Sequence, residues 1–220
     1  MITRPIWTGF AALVFLAMKV GNFSGLDGSE TALTAPGSVQ ALADTFHDSI
    51  KASALDKGAS KVVVLNLPDI TLTPRFQAVL AGVTQQAGAA AAQQAQGLIR
   101  QWIVAFNTRL ASRFAGNAQV AVVDFYATLT DQVANPGKYG LTNAVDTACP
   151  VVGVGSDGLP SYNFLTCTAS ALSANPPAGV SGGANWWKTY LYSDSFHPTP
   201  YGHELLADAV TAAVRAKNWD

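Results

Sequence analysis

Two residues near the end of the chain have the types and spacing of an acid–base pair. Asp194 lies three residues before His197 in the segment Asp-Ser-Phe-His-Pro-Thr. At this spacing a tight turn can direct the carboxylate at Nδ1 of the imidazole, which fixes the tautomer and leaves Nε2 free as a general base. Such a base can activate a hydroxyl group for attack on an acyl carbon. The spacing also fits a loop histidine that is only hydrogen-bonded near a helix N-terminus.

A partner nucleophile is harder to find in the sequence. Ser181 lies in Gly-Val-Ser-Gly-Gly, which matches the G-x-S-x-G pattern, and Ser181, Asp194 and His197 follow one another in the order of α/β-hydrolases. A nucleophile elbow needs a strand before the serine and a helix after it. Here Ala-Asn-Pro-Pro-Ala precedes the motif and Gly-Gly-Ala-Asn follows the serine. Ser181 is therefore a candidate on its pattern alone, and Ser24 and Ser29 rank below it.

Composition excludes several other functions. The formal net charge is −1, which excludes a nucleic-acid binder that depends on bulk positive charge. Hydrophobic residues make up 49% of the chain and charged residues 12%, which is enough apolar material for a packed core. The three histidines have no acidic cluster near them, so no metal site is predicted. Cys149 and Cys167 are expected to form one disulfide, which indicates a secreted or periplasmic protein.

Strand and helix patterns alternate along most of the chain. A helix is predicted from Pro36 to about Gly58, with apolar positions at Val39, Leu42, Phe46 and Ile50, and His47 is expected on its exposed face. Strands are predicted at 61–67 and 119–125, and a last helix at 201–217. One long helix is predicted at 75–114, either continuous or broken in its early part, where Gly82, Gly88 and Gly97 weaken it. Residues 135–190 show no periodic segment. This alternation predicts a single α/β domain over residues 1–220 with a parallel sheet.

The first residues are open to two interpretations. Arg4 and the apolar segment 6–18 resemble a secretory signal, although Lys19 ends the segment and no clear cleavage site follows. Residues 11–18 also fit a strand that is apolar on both faces, as parallel sheets require. Residues 1–27 are therefore either strand or signal-like. The longest apolar run, residues 9–18, is too short for a membrane span.

The segment 190–203, Tyr-Leu-Tyr-Ser-Asp-Ser-Phe-His-Pro-Thr-Pro-Tyr-Gly-His, resembles the last conserved block of the GDSL or SGNH family of serine esterases and lipases. Residues 61–73, 123–127 and 134–143 also resemble the secreted phospholipase, lecithinase and hemolysin subgroup. The resemblance implies that Asp194 and His197 are the triad acid and base. It also implies a three-layer α/β/α, flavodoxin-like fold, a small-molecule or lipid ester as substrate, and no cofactor.

The sequence departs from the family pattern at its N-terminal end. Neither the Gly-Asp-Ser nucleophile block nor the oxyanion-hole glycine is present. Val-Gly-Asn-Phe at 20–23 resembles a remnant of the third block, in which Asn22 would be the oxyanion-hole amide, but Asn22 also fits a simple turn residue.

On this interpretation the chain is N-terminally truncated, and segments 11–18, 61–67 and 119–125 are the third to fifth strands of the family sheet. The first two strands would then be absent, and the exposed sheet edge would favour self-association. Two functions follow: an ester hydrolase whose serine nucleophile is not evident, or a truncated, catalytically inactive hydrolase-like domain with a binding role.

Overall fold

The computed structural model describes residues 36–219, which form two compact units. One unit comprises the described residues up to Val64 together with Leu80–Val122, and the other comprises Leu65–Val79 together with the described residues from Val123 onward. The predictions for segment 6–18 and for Asn22, Ser24 and Ser29 lie outside the described residues.

The helices and strands follow one another in an order close to the predicted one. The α-helices are α1 Pro36–Ser53, α2 Pro74–Ala87, α3 Ala89–Phe114, α4 Phe125–Ala134, α5 Ala169–Ala174 and α6 Pro200–Ala216. The strands are β1 Val62–Leu65, β2 Val120–Val123, β3 Asn143–Thr147, β4 Val151–Val154, β5 Pro160–Tyr162 and β6 Tyr190–Tyr192. The predicted helices and both predicted strands are confirmed, with ends shifted by a few residues.

Helix α1 buries a narrower stripe than its pattern predicts. Val39, Ala43 and His47 are buried, at a regular spacing of four residues. The prediction that His47 is exposed is wrong, because its ring packs against Phe114 of α3 with ring centroids 4.7 Å apart. The small side chain of Ala43 has no exposed surface at all, and burial at this position allows the two helices to approach closely.

The break in the predicted long helix occurs at Gly88. This residue lies between α2 and α3 and has a φ of 86°, a left-handed conformation that glycine adopts without steric cost. The two other glycines of the segment, Gly82 and Gly97, remain inside α2 and α3. Backbone conformation therefore separates the helices at one defined residue.

The described strands form three two-stranded sheets. Strands β1 and β2 run parallel, because the amide of Val62 donates to the carbonyl of Gln119 and the amide of Asn66 to that of Val123. Strands β3 and β6 are also parallel, and β4 pairs with β5 in an antiparallel hairpin. Parallel strands among long helices confirm the α/β class.

Residues 135–190, in which the sequence shows no periodic segment, nevertheless contain regular elements. This segment contains β3, β4, β5, α5 and short 3₁₀ helices. Its elements are three to seven residues long, and every residue of β4 is exposed, so no apolar period marks them.

Strand β6 lies at the centre of the second unit. Leu191 and Tyr192 are buried in a cluster that also contains residues of α4 and β3 and is covered by Tyr201 and Leu205 of α6. Tyr190 belongs to a neighbouring cluster with Trp186 and Trp187. The chain therefore leaves β6 from a buried core, and the candidate site follows directly.

Candidate active site

The loop between β6 and α6, residues 193–199, closes on itself through backbone hydrogen bonds. The amide of Ser193 donates to the carbonyl of His197 over 2.8 Å, and the amide of Thr199 donates to that of Leu191 over 2.9 Å. The hydroxyl of Ser193 also donates to the carbonyl of Pro198. These bonds fix both ends of the loop, so the side chains it carries have defined positions.

Asp194 and His197 are brought together by this loop. Nδ1 of His197 lies 2.8 Å from Oδ2 and 3.0 Å from Oδ1 of Asp194. The aspartate is 6% exposed, whereas the side chain of His197 is 71% exposed. The pair thus has a buried carboxylate behind an imidazole whose far edge faces solvent.

The carboxylate of Asp194 is held in its ionised form. Burial alone would raise the pKa of Asp194. The backbone amides of His197 and Phe196, both 2.8 Å from Oδ1, and the imidazole of His197 together outweigh burial, so the pKa is lowered. An ionised carboxylate can only accept hydrogen bonds. Nδ1 of His197 must therefore carry a proton, so in the neutral ring Nε2 keeps its lone pair.

Thr199 fixes the end of the loop, a role the sequence analysis did not identify. Its hydroxyl, on a residue that is 1% exposed, accepts from the amide of Gly202 and donates to the carbonyl of Tyr190 over 2.5 Å. It is the N-cap of α6, and Pro200 is the first helical residue. A threonine followed by proline at a helix start is a recognisable signal for this role.

Two further backbone contacts hold the loop from the outside. The amide of Arg75, near the start of α2, donates to the carbonyl of Ser195 over 2.8 Å. The amide of Cys149 donates to the carbonyl of Ser193 over 2.7 Å. Cys149 and Cys167 form the predicted disulfide, with Cα atoms 5.1 Å apart. One end of the disulfide is thereby anchored next to Asp194.

An apolar cavity of about 520 Å³ lies beside this anchor. Its volume is in the range of small-molecule sites, roughly 300–1,000 Å³. Its walls come from β3, the disulfide, α5 and the segment before β6, and they include Ala148, Cys149, Leu172, Trp186 and Tyr190.

Ser181 is not joined to the pair. It is exposed, no strand leads into it, and it is followed by the 3₁₀ helix Gly183–Thr189. Within residues 36–219, no hydrogen bond joins Ser181 to His197. The part of the chain that the structure describes also contains no group of three or more possible metal ligands and no helix long and apolar enough to cross a membrane.

The elements and the site together define an α/β protein with a buried carboxylate–imidazole pair in the loop after a strand. Residues 29–210 match the GDSL-like Lipase/Acylhydrolase family, and the chain belongs to that family. The fold of this family is the three-layer α/β/α fold of SGNH hydrolases, which confirms the fold class and the family predicted from the sequence.

Curated relatives carry related names. "Lipase 1" of Photorhabdus luminescens is 26% identical over 76% of this chain and 26% of its own length. "GDSL esterase/lipase APG" of Arabidopsis thaliana is 27% identical over 77% of this chain and 43% of its own. "Esterase EstA" of Pseudomonas aeruginosa is 29% identical over 74% and 21%. The chain thus spans less than half the length of each of these relatives.

Proposed function

We propose that this chain carries the acid–base half of a serine ester hydrolase that acts on carboxylic esters. The observation that supports this most is the bond between the buried, ionised Asp194 and Nδ1 of the exposed His197. The names of the relatives, which are lipases and esterases, agree with it.

In this mechanism Nε2 of His197 removes the proton of a serine hydroxyl as the oxygen attacks the ester carbonyl. The imidazolium that forms is stabilised by the charge of Asp194, and it then gives its proton to the departing alcohol. In the second half, the same nitrogen activates water, which releases the acid and restores the serine. Asn22 is the proposed amide donor to the oxyanion.

The identity of the nucleophile is the open part of this mechanism. The 220 residues contain no Gly-Asp-Ser tripeptide, which is the family's nucleophile motif. The exposed loop around Ser181 lacks the preceding strand of a nucleophile elbow. Without its serine, His197 can only activate water, so we expect slow hydrolysis by these residues alone.

The proposed substrate class and location are supported by the apolar cavity and the disulfide of the second unit. The cavity beside Cys149 has mostly apolar walls, which fits the acyl group of a small-molecule or lipid ester. The disulfide supports a secreted or periplasmic protein. The single domain over 1–220, the absence of nucleic-acid binding and self-association through the edge beside segment 11–18 stay predictions.

The proposal is tested by hydrolysis of p-nitrophenyl butyrate by the purified chain and by His197→Ala, Asp194→Asn and His203→Ala. The last variant is the matched control, because His203 is an exposed histidine of α6 and no hydrogen bond among the described residues joins its side chain to the pair. We expect slow hydrolysis above the buffer rate by the wild-type chain, a fall to the buffer rate when either member of the pair is changed, and an unchanged rate in His203→Ala.

The alternative function is a catalytically inactive domain that binds acyl chains. Under that alternative, the wild-type chain and His197→Ala hydrolyse the ester equally, at the rate of buffer. Ser181→Ala separates a further possibility: loss of a substantial activity in this variant identifies Ser181 as the nucleophile and contradicts the mechanism given above.

A further inference from the structure

A short hairpin beside the candidate site exposes an unusual number of apolar side chains. It consists of β4, β5 and the turn that follows, residues 151–165, and is called here the apolar hairpin. Five of its large apolar residues are each more than half exposed: Val151, Val152, Val154, Phe164 and Leu165. Single exposed apolar residues are common, but five within fifteen residues indicate an interaction surface.

The apolar hairpin carries almost no charge. Between Cys149 and Cys167, Asp157 is the only residue among Asp, Glu, Lys and Arg. Nη2 of Arg75 donates a hydrogen bond to the carboxylate of Asp157 over 2.8 Å. Contact of the hairpin's apolar side chains with an apolar medium therefore brings near that medium one ion pair rather than an unpaired charge, whose desolvation would be more costly. The hairpin also lacks the basic residues that would favour an anionic partner.

The hairpin is poorly built for pairing with another strand. Its strands have four and three residues, β5 begins with Pro160, and the register shifts between Val151 and Gly153. Short strands, proline and bulges are the features by which proteins prevent edge-to-edge pairing. The exposed side chains are thus better explained by a fluid apolar partner than by a second copy of the chain.

The position of the hairpin connects it to the candidate site. Arg75 binds Asp157 in the hairpin turn through its side chain, and its backbone amide binds the carbonyl of Ser195 between Asp194 and His197. Phe196, in the same loop, is 38% exposed. The hairpin turn and the loop of the pair are therefore held to the same residue.

We propose that the apolar hairpin is a lipid-contact surface, which inserts its apolar side chains into the surface of a neutral, zwitterionic phospholipid layer. This contact would hold the Asp194–His197 loop next to ester bonds at the lipid surface. The functional role of this lipid contact rests on the proposed ester hydrolysis. Vesicle binding, however, can be measured without any hydrolysis.

The test is flotation of the purified chain with phosphatidylcholine vesicles, compared with a Val154→Ser, Leu165→Ser double variant. These side chains are 73% and 84% exposed, so their replacement leaves the core intact. Val104→Ser, at a 46% exposed valine of α3, is the matched control. We expect vesicle binding to weaken about tenfold for each hairpin side chain removed, about 100-fold in the double variant, and to stay unchanged in the control.

Several outcomes would overturn the proposal. They are no binding of the wild-type chain, equal binding of the double variant, and binding that requires phosphatidylserine in the vesicles. A fourth contradicting outcome comes from sedimentation without lipid. If the wild-type chain forms an oligomer and the double variant does not, the hairpin contacts a second copy of the chain. Hydrolysis of soluble p-nitrophenyl butyrate should be equal in the wild type and the double variant, so failure of the lipid contact and failure of the proposed activity are distinguished.

Discussion

Replacement of Thr199 by valine tests how the loop of the pair is held. Valine has nearly the same shape, but it lacks the hydroxyl that binds the Gly202 amide and the Tyr190 carbonyl. Loss of an N-cap costs about 1 kcal/mol, and a buried carbonyl left without its donor costs about 1–3 kcal/mol. We therefore expect Thr199→Val to lower the free energy of unfolding by about 2–4 kcal/mol.

Two variants calibrate this prediction, and equilibrium urea unfolding with unchanged m-values is the assay. Thr199→Ser keeps the hydroxyl and loses one methyl group, at a cost of about 0.8 kcal/mol. Thr168→Val removes an exposed N-cap, that of α5, whose bond to the Ala171 amide is 3.3 Å long, and we expect a loss of about 0.5 kcal/mol. If Thr199→Val costs no more than Thr168→Val, the Thr199 hydroxyl does not hold the loop as argued.

Three further predictions concern residues around the site. Gly202→Ala places a methyl group 2.7 Å from the Leu191 carbonyl, so we expect a net loss of about 1–2 kcal/mol in urea unfolding, and a gain would contradict the packing. Tyr192→Phe removes a buried hydroxyl that has no hydrogen-bond partner among the described residues, so we expect the free energy of unfolding, from thermal unfolding, to rise by about 1 kcal/mol, and a fall would contradict this. The hydrogen bond from Lys138 is the main cause that lowers the pKa of Asp131 to about 2. The stabilisation of the folded state by the ionised Asp131 is therefore present above about pH 4 and lost as the pH falls toward 2. We expect Asp131→Asn to flatten this part of an acid unfolding profile.

Much of the fold could be predicted because its long elements have strong local signals. The β-branched run before Pro68 marks β1, and the amphipathic segment after Pro200 marks α6. The stripe of α1 was predicted less well, since packing against α3 buries Ala43 and His47 and leaves Leu42 and Phe46 partly exposed. Apolar periodicity alone does not show which small residue lies at a close helix contact.

The candidate pair could be predicted because Asp194 and His197 are neighbours in sequence, and one turn suffices to join them. The residues that hold this turn could not. Arg75 and Cys149 contact the loop through backbone amides, and such contacts place no requirement on side-chain type. The strands β3 to β5 could not be predicted from the sequence either, because they are determined by pairing between distant residues rather than by a local pattern.

The claim that Asp194 holds His197 as a base with a free Nε2 is tested most directly by long-range ¹H–¹⁵N NMR of the imidazoles. His203, an exposed histidine in the first turn of α6, serves as the internal reference. For the neutral His197 ring, the structure predicts a proton on Nδ1 and none on Nε2, and this preference should be lost in Asp194→Asn. A proton on Nε2, or a tautomer mixture equal to that of His203, would contradict it.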